Sequence, residues 1–215
     1  MRNTLNTSTF KSDIAYLNRA FMIDSARAMI RRGLSLGQRP FVSTKFGPES
    51  AVLLHLLVQE AAAIPVVWVD TGYNTRATMR YAEVIRQRLR LNLKIFQPLQ
   101  VTFELPPELD DPTHEAFTRR VKLEPFARAM ETLQPDVWFS GLRREQTAYR
   151  AGLDIVSYSE SGLLKVAPLL DWNQADMQAY LIAYDLAPES EYSENDYYDP
   201  TKGEPRRECG LHLSF

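Results

Sequence analysis

Apolar residues recur at helical spacing near the start of the chain. Between Ser12 and about Arg32 they fall at every third or fourth position, and Gly33 follows directly. This periodicity is typical of an amphipathic helix packed on a core, and glycine commonly ends such a helix. The pattern therefore predicts one N-terminal helix that Gly33 terminates.

Short apolar runs then alternate with longer helical patterns. Strands are predicted at residues 41–44, 65–70, 93–96 and 137–140, with an extended stretch at 165–170. Helices are predicted at residues 50–59, 81–91 and 125–133, and from a cap at 171–173 to about Tyr184. This alternation is typical of an α/β fold: a mostly parallel, Rossmann-like sheet with helices on both faces and right-handed crossovers.

Two segments interrupt the alternation. Residues 97–115 contain Pro98, Pro106, Pro107 and Pro112, which predicts a loop or lid. From residue 188 the chain is polar, rich in tyrosine and punctuated by proline, which indicates a flexible C-terminal tail. We therefore expect a single α/β domain at residues 1–187 and a tail at residues 188–215.

Composition and charge narrow the class of protein. With 215 residues and 45% hydrophobic content, the chain can bury one substantial core. The net charge is −2 and the basic residues are mixed with acidic ones, which argues against nucleic acid or a membrane surface as partner. Since the sequence has neither an apolar run of bilayer length nor the apolar core of a signal peptide, we expect a cytoplasmic protein.

Cys209 is the one cysteine in the sequence. A single thiol excludes an internal disulfide and any zinc or iron–sulfur site that needs several thiolates from one chain, and no metal site is predicted. A lone cysteine is often a small buried hydrophobic residue. Here Arg206, Arg207 and His212 flank it, and nearby positive charge lowers a thiol pKa, so the surroundings favour a reactive thiolate.

Polar residues follow three of the predicted strands, at residues 43–50, 70–73 and 140–146. The carboxyl ends of parallel strands meet at one edge of a sheet, so these loops should form one site. The first loop offers hydroxyls, Lys45 and backbone N–H groups at a helix N-terminus, a combination suited to phosphate or sulfate. It lacks both the Walker and the dinucleotide-binding patterns, and an ordinary strand-to-helix turn is the alternative interpretation.

Six segments, in order along nearly the whole chain, carry a resemblance to a known family. They are residues 43–47 with Ser50, 69–73, 91–94, 122–125, 138–146 and 207–212. The Gly-Leu-Arg-Arg-Glu-Gln stretch and the Glu-Cys-Gly-Leu-His end are the most specific of them. With these segments the sequence resembles the cluster-free, thioredoxin-dependent phosphoadenylyl-sulfate (PAPS) reductases, which have an adenine nucleotide alpha hydrolase-like fold.

The resemblance implies a nucleotide bound across the strand ends. The substrate-binding residues that it implies are Ser43, Thr44, Lys45, Gly47, Ser50, Asp70, Thr71, Gly72, Lys122, Gly141, Arg143, Arg144 and Arg207. Arg143, Arg144 and Lys122 would surround the anionic end, because guanidinium groups match phosphate and sulfate oxygens. The alternatives are a surface ion pair for each arginine and a solvated lysine.

The resemblance also implies the reaction. Cys209 would attack the sulfur of PAPS and become S-sulfonated, and an external dithiol would then release sulfite. Since no second cysteine is present, reduced thioredoxin or glutaredoxin would supply that dithiol, with no bound cofactor. His212, three residues after the cysteine, would stabilise the thiolate or help in substrate contact. A homodimer is implied by the resemblance alone.

The sequence departs from the family pattern in two places. Thr44 and Lys45 replace the usual serines, and residues 188–206 do not reproduce the usual segment before the cysteine. The lack of paired cysteines favours the 3′-phosphorylated substrate, with a cluster-free adenylyl-sulfate reductase as the alternative. An adenylating enzyme of the ATP pyrophosphatase type and a nucleotide-binding homologue without turnover are two further hypotheses.

Overall fold

The fold is that of a computed structural model, which describes residues 7–100, 105–108, 110–186, 192, 198–201, 211 and 215. Six strands form one sheet: β1 Pro40–Thr44, β2 Pro65–Val69, β3 Asn92–Phe96, β4 Val137–Phe139, β5 Val156–Tyr158 and β6 Leu164–Val166. The helices are α1 Thr7–Met22, α2 Ala26–Ser35, α3 Ser50–Glu60, α4 Arg76–Leu89, α5 His114–Thr118, α6 Glu124–Leu133, α7 Ala148–Ala151 and α8 Gln174–Ala183. A π-helical turn at Arg119–Leu123 joins α5 to α6, and a 3₁₀ turn spans Arg144–Gln146.

The strand order is β3-β2-β1-β4-β6-β5. Every neighbouring pair is parallel except β5 with β6, which is antiparallel. The predicted fold class, a mostly parallel α/β sheet, is confirmed. The central strands read as apolar runs because helices cover both of their faces.

Alternate residues of the central strands pack into two separate cores. Val42, Val66 and Phe139 point into the larger core, which α2, α3, α4 and α8 cover. Their sequence neighbours Phe41, Val67 and Trp138 point to the other face, where Phe126 and Ala129 of α6 cover them. This division follows from the two-residue period of a strand.

The prediction of one N-terminal helix ended by Gly33 is wrong. The first helix ends at Met22, and a second helix begins at Ala26. Ser25 caps the second helix, because its hydroxyl accepts a hydrogen bond from the Ala28 N–H at 3.3 Å. Gly33 lies inside α2 for a packing reason: a Cβ atom there would lie 2.8 Å from the Phe139 ring. The glycine therefore allows close approach of helix and sheet.

Other differences are smaller. The helix predicted at 81–91 begins at Arg76, behind the Thr75 cap, and ends at Leu89. The extended stretch predicted at 165–170 is a strand only as far as Val166, after which the Leu170 N–H turns back to the Ala167 carbonyl at 3.1 Å. Strand β5 and the short helix α5 were not predicted, because segments of three to five residues carry little periodic signal.

Most of the predicted tail lies outside the described residues. The prediction that the tail is flexible concerns those residues. Its described residues 192, 198–201, 211 and 215 contact the domain. Among the helices of the described part, none has the length and apolar character that would let it cross a membrane.

Candidate active site

A cavity of about 190 Å³ opens at the carboxyl ends of β1, β2 and β4. The structure brings together most of the predicted site residues around it: Ser43, Thr44, Lys45, Gly47, Ser50, Thr71, Lys122, Gly141 and Arg143. Asp70, Gly72 and Arg144 are not among its lining residues. The three strand-end loops thus converge on one site.

The loop after β1 is ordered by hydrogen bonds within itself. The Phe46 N–H donates to the Thr44 hydroxyl at 3.1 Å, and the Ser50 hydroxyl donates to the Gly47 carbonyl. Phe46 adopts a left-handed φ of 51°, which turns the chain sharply from strand to helix. The N-terminus of α3 thereby lies at the cavity, where its backbone dipole favours an anion.

Ser43 has a partner on the neighbouring strand. Its hydroxyl oxygen accepts a hydrogen bond from the indole N–H of Trp138 at 2.8 Å. Because Trp138 is fully buried, this bond satisfies a donor that would otherwise be costly to bury. The hydroxyl proton of Ser43 can still be donated elsewhere.

Asp70 organises the loop after β2. One carboxylate oxygen accepts from the Gly72 N–H at 3.1 Å and the Asn74 amide at 2.7 Å. The other accepts from the Gln97 amide at 2.8 Å. Gly72 has a φ of 85°, a conformation that favours glycine. The carboxylate therefore holds the loop that carries Thr71 and Asn74 to the cavity.

Arg143 lies at the cavity wall, already paired with acidic groups. Its guanidinium contacts Glu49 at 2.6 Å and Glu145, and donates to the Gln174 amide oxygen at 3.2 Å. The side chain is 5% exposed. The Arg143 contact with Glu49 joins the loop after β4 to the N-terminus of α3.

Arg144, the next residue, points elsewhere. Its guanidinium pairs with Asp171 at 2.6 Å and donates to the backbone carbonyls of Ala151 and Leu153. This arrangement matches the ion-pair alternative considered for the two arginines. The structure does not bring Arg144 to the cavity.

Lys122 contacts the segment 198–201. Its ammonium lies 2.5 Å from the Asp199 carboxylate and 2.9 Å from the Thr201 hydroxyl, in surroundings that leave both charged side chains under 10% exposed. Burial alone would raise the pKa of Asp199, but the Lys122 charge and the hydrogen bonds from Lys122 and Thr201 outweigh it, so that pKa is lowered. Lys122 is thus a buried cation with a carboxylate partner, unlike the solvated lysine considered from the sequence.

Comparison with known proteins identifies the family. A model of the phosphoadenosine phosphosulfate reductase domain matches residues 39–195. The phosphoadenosine 5′-phosphosulfate reductase of Photobacterium profundum is 32% identical over 228 residues, which cover 93% of this chain and 88% of that protein. The enzyme of the same name from Vibrio parahaemolyticus is 36% identical over 194 residues, covering 80% and 74%.

The chain belongs to the phosphoadenosine phosphosulfate reductase family.

The fold agrees with that of a solved structure. The crystal structure of a PAPS reductase from Candida auris superimposes with a TM-score of 0.73 at 22% identity, covering 86% of this chain and 92% of that one. This likeness supports the adenine nucleotide alpha hydrolase-like fold that the resemblance implied.

Several cavity residues of this PAPS reductase family member were missed by sequence reasoning. Arg150, 7% exposed, lines the cavity and donates to the Gln146 amide oxygen, which also accepts from the Arg143 N–H at 3.2 Å. The other missed lining residues include Asn74, Tyr198 and Asp199, whereas Glu49 and Ser140 lie in two of the loops that were predicted to form the site. A signal for Arg150 was available, because it lies four residues after Gln146 at the end of the segment that carries the resemblance.

Three predicted site residues lie outside the described residues: the nucleophile Cys209 and its sequence neighbours Arg207 and His212. Two residues beside them are described. Leu211 lines the cavity, and Phe215 packs edge-on against Phe126 with ring centroids 5.0 Å apart. Among the described residues, no three His, Cys, Asp or Glu side chains are grouped so that they could hold a metal ion.

Proposed function

We propose that this chain reduces 3′-phosphoadenylyl sulfate to sulfite and adenosine 3′,5′-bisphosphate in sulfate assimilation. Family membership supports this activity, and the relatives named above carry that substrate in their names. The absence of paired cysteines from the sequence agrees with the cluster-free type.

The lining of the cavity suits an adenine nucleotide with several anionic groups. Hydroxyls of Ser43, Thr44 and Thr71 can donate to phosphate oxygens, as can the backbone at the start of α3. Arg143, Arg150 and Lys122 supply positive charge. Apolar side chains elsewhere on the wall can contact the base, among them Leu53, Leu169 and Met177.

In the first chemical step, the Cys209 thiolate attacks the sulfonate sulfur. A bond forms between Sγ and that sulfur, while the bond from sulfur to the phosphate oxygen breaks and its electron pair leaves with adenosine 3′,5′-bisphosphate. The product is an S-sulfonated cysteine. Arg207 and His212 flank the thiol in the sequence and would stabilise its anionic form.

In the second step, a thiolate of an external dithiol attacks Sγ of Cys209 and displaces sulfite. The second thiol of that dithiol then resolves the mixed disulfide, so two electrons pass from the dithiol and Cys209 returns to its thiol form. Reduced thioredoxin or glutaredoxin fits this role. Both dithiols are kept reduced in the cytoplasm, the compartment that we propose for this chain.

One observation carries the proposal to this particular cavity. Leu211 lines the cavity, and Cys209 precedes it by two positions in the sequence. Because two residues span at most about 7 Å, this closeness in the sequence supports a role for the Cys209 thiol at the cavity. Phe215, four positions after Leu211, packs against Phe126 on the smaller core.

A sulfite assay with two nucleotides tests the proposal. The chain is incubated with reduced thioredoxin and either 3′-phosphoadenylyl sulfate or adenylyl sulfate, with Cys209→Ser as control. We expect sulfite from the first nucleotide and none from the variant. If only adenylyl sulfate gave sulfite, the chain would be an adenylyl-sulfate reductase. Release of pyrophosphate from ATP and magnesium would favour the adenylating enzyme. Nucleotide binding without sulfite would favour the homologue without turnover.

The proposed homodimer is tested separately. Light scattering of the purified chain should give twice the mass of 24.7 kDa. A mass equal to that of one chain would contradict the dimer and leave the reaction unaffected.

A further inference from the structure

Two tyrosine hydroxyls that are not part of the cavity lining bond to the loop after β1. The Tyr81 hydroxyl donates to the Pro48 carbonyl at 2.9 Å, and the Tyr192 hydroxyl donates to the Phe46 carbonyl at 2.6 Å. Neither tyrosine lines the cavity, and both are under 10% exposed. Their rings pack together with centroids 4.9 Å apart.

These bonds set the direction of two backbone N–H groups. In a trans peptide the C=O of one residue and the N–H of the next point in opposite directions. A carbonyl of Phe46 held by Tyr192 therefore turns the Gly47 N–H away from that tyrosine. In the same way, a Pro48 carbonyl held by Tyr81 turns the Glu49 N–H away. Gly47 and Glu49 both line the cavity.

The loop has reason to need this support. A non-glycine residue with a left-handed φ, such as Phe46, is about 1–2 kcal/mol less favourable than in a right-handed conformation. Gly47, which follows, has wide backbone freedom. The Phe46 side chain is held edge-on to Trp68 at 5.0 Å, but that contact does not fix the peptide plane after it. The hydrogen bond from the Tyr192 hydroxyl to the Phe46 carbonyl fixes that plane.

A third residue orients the Tyr192 hydroxyl. Its oxygen lies 3.2 Å from the Thr78 hydroxyl, which is fully buried and lies 3.0 Å from the Thr75 hydroxyl. Because the one proton of Tyr192 is donated to Phe46, Thr78 must donate to Tyr192. Burial raises the pKa of Tyr81, so that hydroxyl also keeps its proton at neutral pH.

We infer that Tyr81 and Tyr192 are positioning residues that aim the Gly47 and Glu49 N–H groups at an anionic group of the nucleotide. The inference rests on the proposed function for the identity of that nucleotide. It also gives Tyr192, a described residue of the predicted C-terminal tail, a part in forming the phosphate site.

Tyrosine-to-phenylalanine variants test the inference. The affinity for adenosine 3′,5′-bisphosphate is measured by calorimetry for Tyr81→Phe, Tyr192→Phe and the double variant, with ATP and adenosine 5′-monophosphate as further probes. Each single variant should bind adenosine 3′,5′-bisphosphate about tenfold more weakly, because one lost hydrogen bond leaves one backbone N–H group less well oriented. The KM for the sulfonucleotide should rise, while kcat at saturation stays within about twofold.

Tyr180→Phe is the matched control. Its hydroxyl also has a hydrogen-bond partner, His55 Nδ1 at 2.9 Å, but that partner lies within α3 and not in the loop after β1. This variant should leave nucleotide affinity unchanged. Thr78→Val provides a second route should Tyr192→Phe fold poorly, and it should weaken binding in the same direction.

The outcomes separate the inference from the proposed function. Wild-type affinity in Tyr81→Phe and Tyr192→Phe would overturn the inference, as would an equal loss in Tyr180→Phe or a loss confined to kcat. Failure of the proposed function appears differently, as wild-type protein that binds a nucleotide yet forms no sulfite. Failure of the wild type to bind any of the three nucleotides would overturn both.

Discussion

The loops after β1 and β4 both reach the cavity, but they present different chemistry. The loop after β1 offers hydroxyls and backbone N–H groups whose direction is set by bonds to neutral side chains. The segment after β4 offers guanidinium groups, of which Arg143 is already paired with Glu49 and Glu145. A neutral donor that faces an open cavity costs less free energy without a ligand than a buried cation costs without a counter-charge. The first loop is therefore ready for an anion, and the second must exchange partners to receive one.

The largest expected loss of stability follows substitution of Arg143, the paired cation of the segment after β4. Arg143→Ala leaves the mostly buried Glu49 without its cation, which should cost about 3–5 kcal/mol of unfolding free energy, while the exposed Glu145 should add little. Arg144→Ala removes a more exposed pair and should cost about 1–2 kcal/mol. Urea unfolding of both variants measures the difference. Equal losses would contradict the different roles of these adjacent arginines.

A second prediction concerns the buried Lys122 and Asp199 pair. The pKa of Asp199 is lowered from its ordinary value of 3.8, so the carboxylate stabilises the folded state above that pH and loses its contribution as the pH falls through the lowered pKa. The stability difference between wild type and Asp199→Asn should therefore be constant above about pH 5 and shrink below pH 3.8. Urea unfolding across this range measures it.

Asp111→Asn is the control for that prediction. Asp111 likewise accepts from the backbone and hydroxyl of the threonine two positions later, Thr113, but it is exposed and no lysine contact is involved. Its substitution should change stability much less at neutral pH. A loss equal to that of Asp199→Asn would show that the threonine turn, and not the lysine, provides the stabilisation.

The smallest effect is expected within the loop after β1. Ser50→Ala removes the hydroxyl that bonds the Gly47 carbonyl, and one neutral hydrogen bond contributes about 0.5–1.5 kcal/mol. Nucleotide affinity should fall by up to about tenfold. Ser35→Ala removes a similar bond, from the Ser35 hydroxyl to the Arg32 carbonyl at 2.7 Å, and calorimetry should show unchanged affinity for it. A larger loss in Ser35→Ala would contradict a local role for Ser50.

The sequence was most informative where the fold is periodic and where motifs are specific. The strand Pro65–Val69 and the helix Ser50–Glu60 were predictable, because the spacing and length of their apolar runs indicate a strand and a helix. The meeting of the strand-end loops followed from parallel topology. The break at residues 23–25 was not predictable, since apolar spacing continues across it and the Ser25 cap is a weak local signal.

The partners of the charged residues could not be predicted. Arg143 and Arg144 are identical in type and adjacent, yet their surroundings depend on residues up to 94 positions away, as in the Arg143 contact with Glu49. The Lys122 contact with Asp199 spans 77 positions. Such pairings arise from the folded topology, which leaves no local pattern in the chain.

The proposed reaction depends on Cys209 as the acceptor of the sulfonate. The most direct measurement is the intact mass of the wild-type chain after incubation with 3′-phosphoadenylyl sulfate and no dithiol, followed by peptide mapping. We expect the added mass of one sulfonate on the peptide that contains Cys209, and its release as sulfite when reduced thioredoxin is added. No adduct, or an adduct that persists in Cys209→Ser, would contradict it.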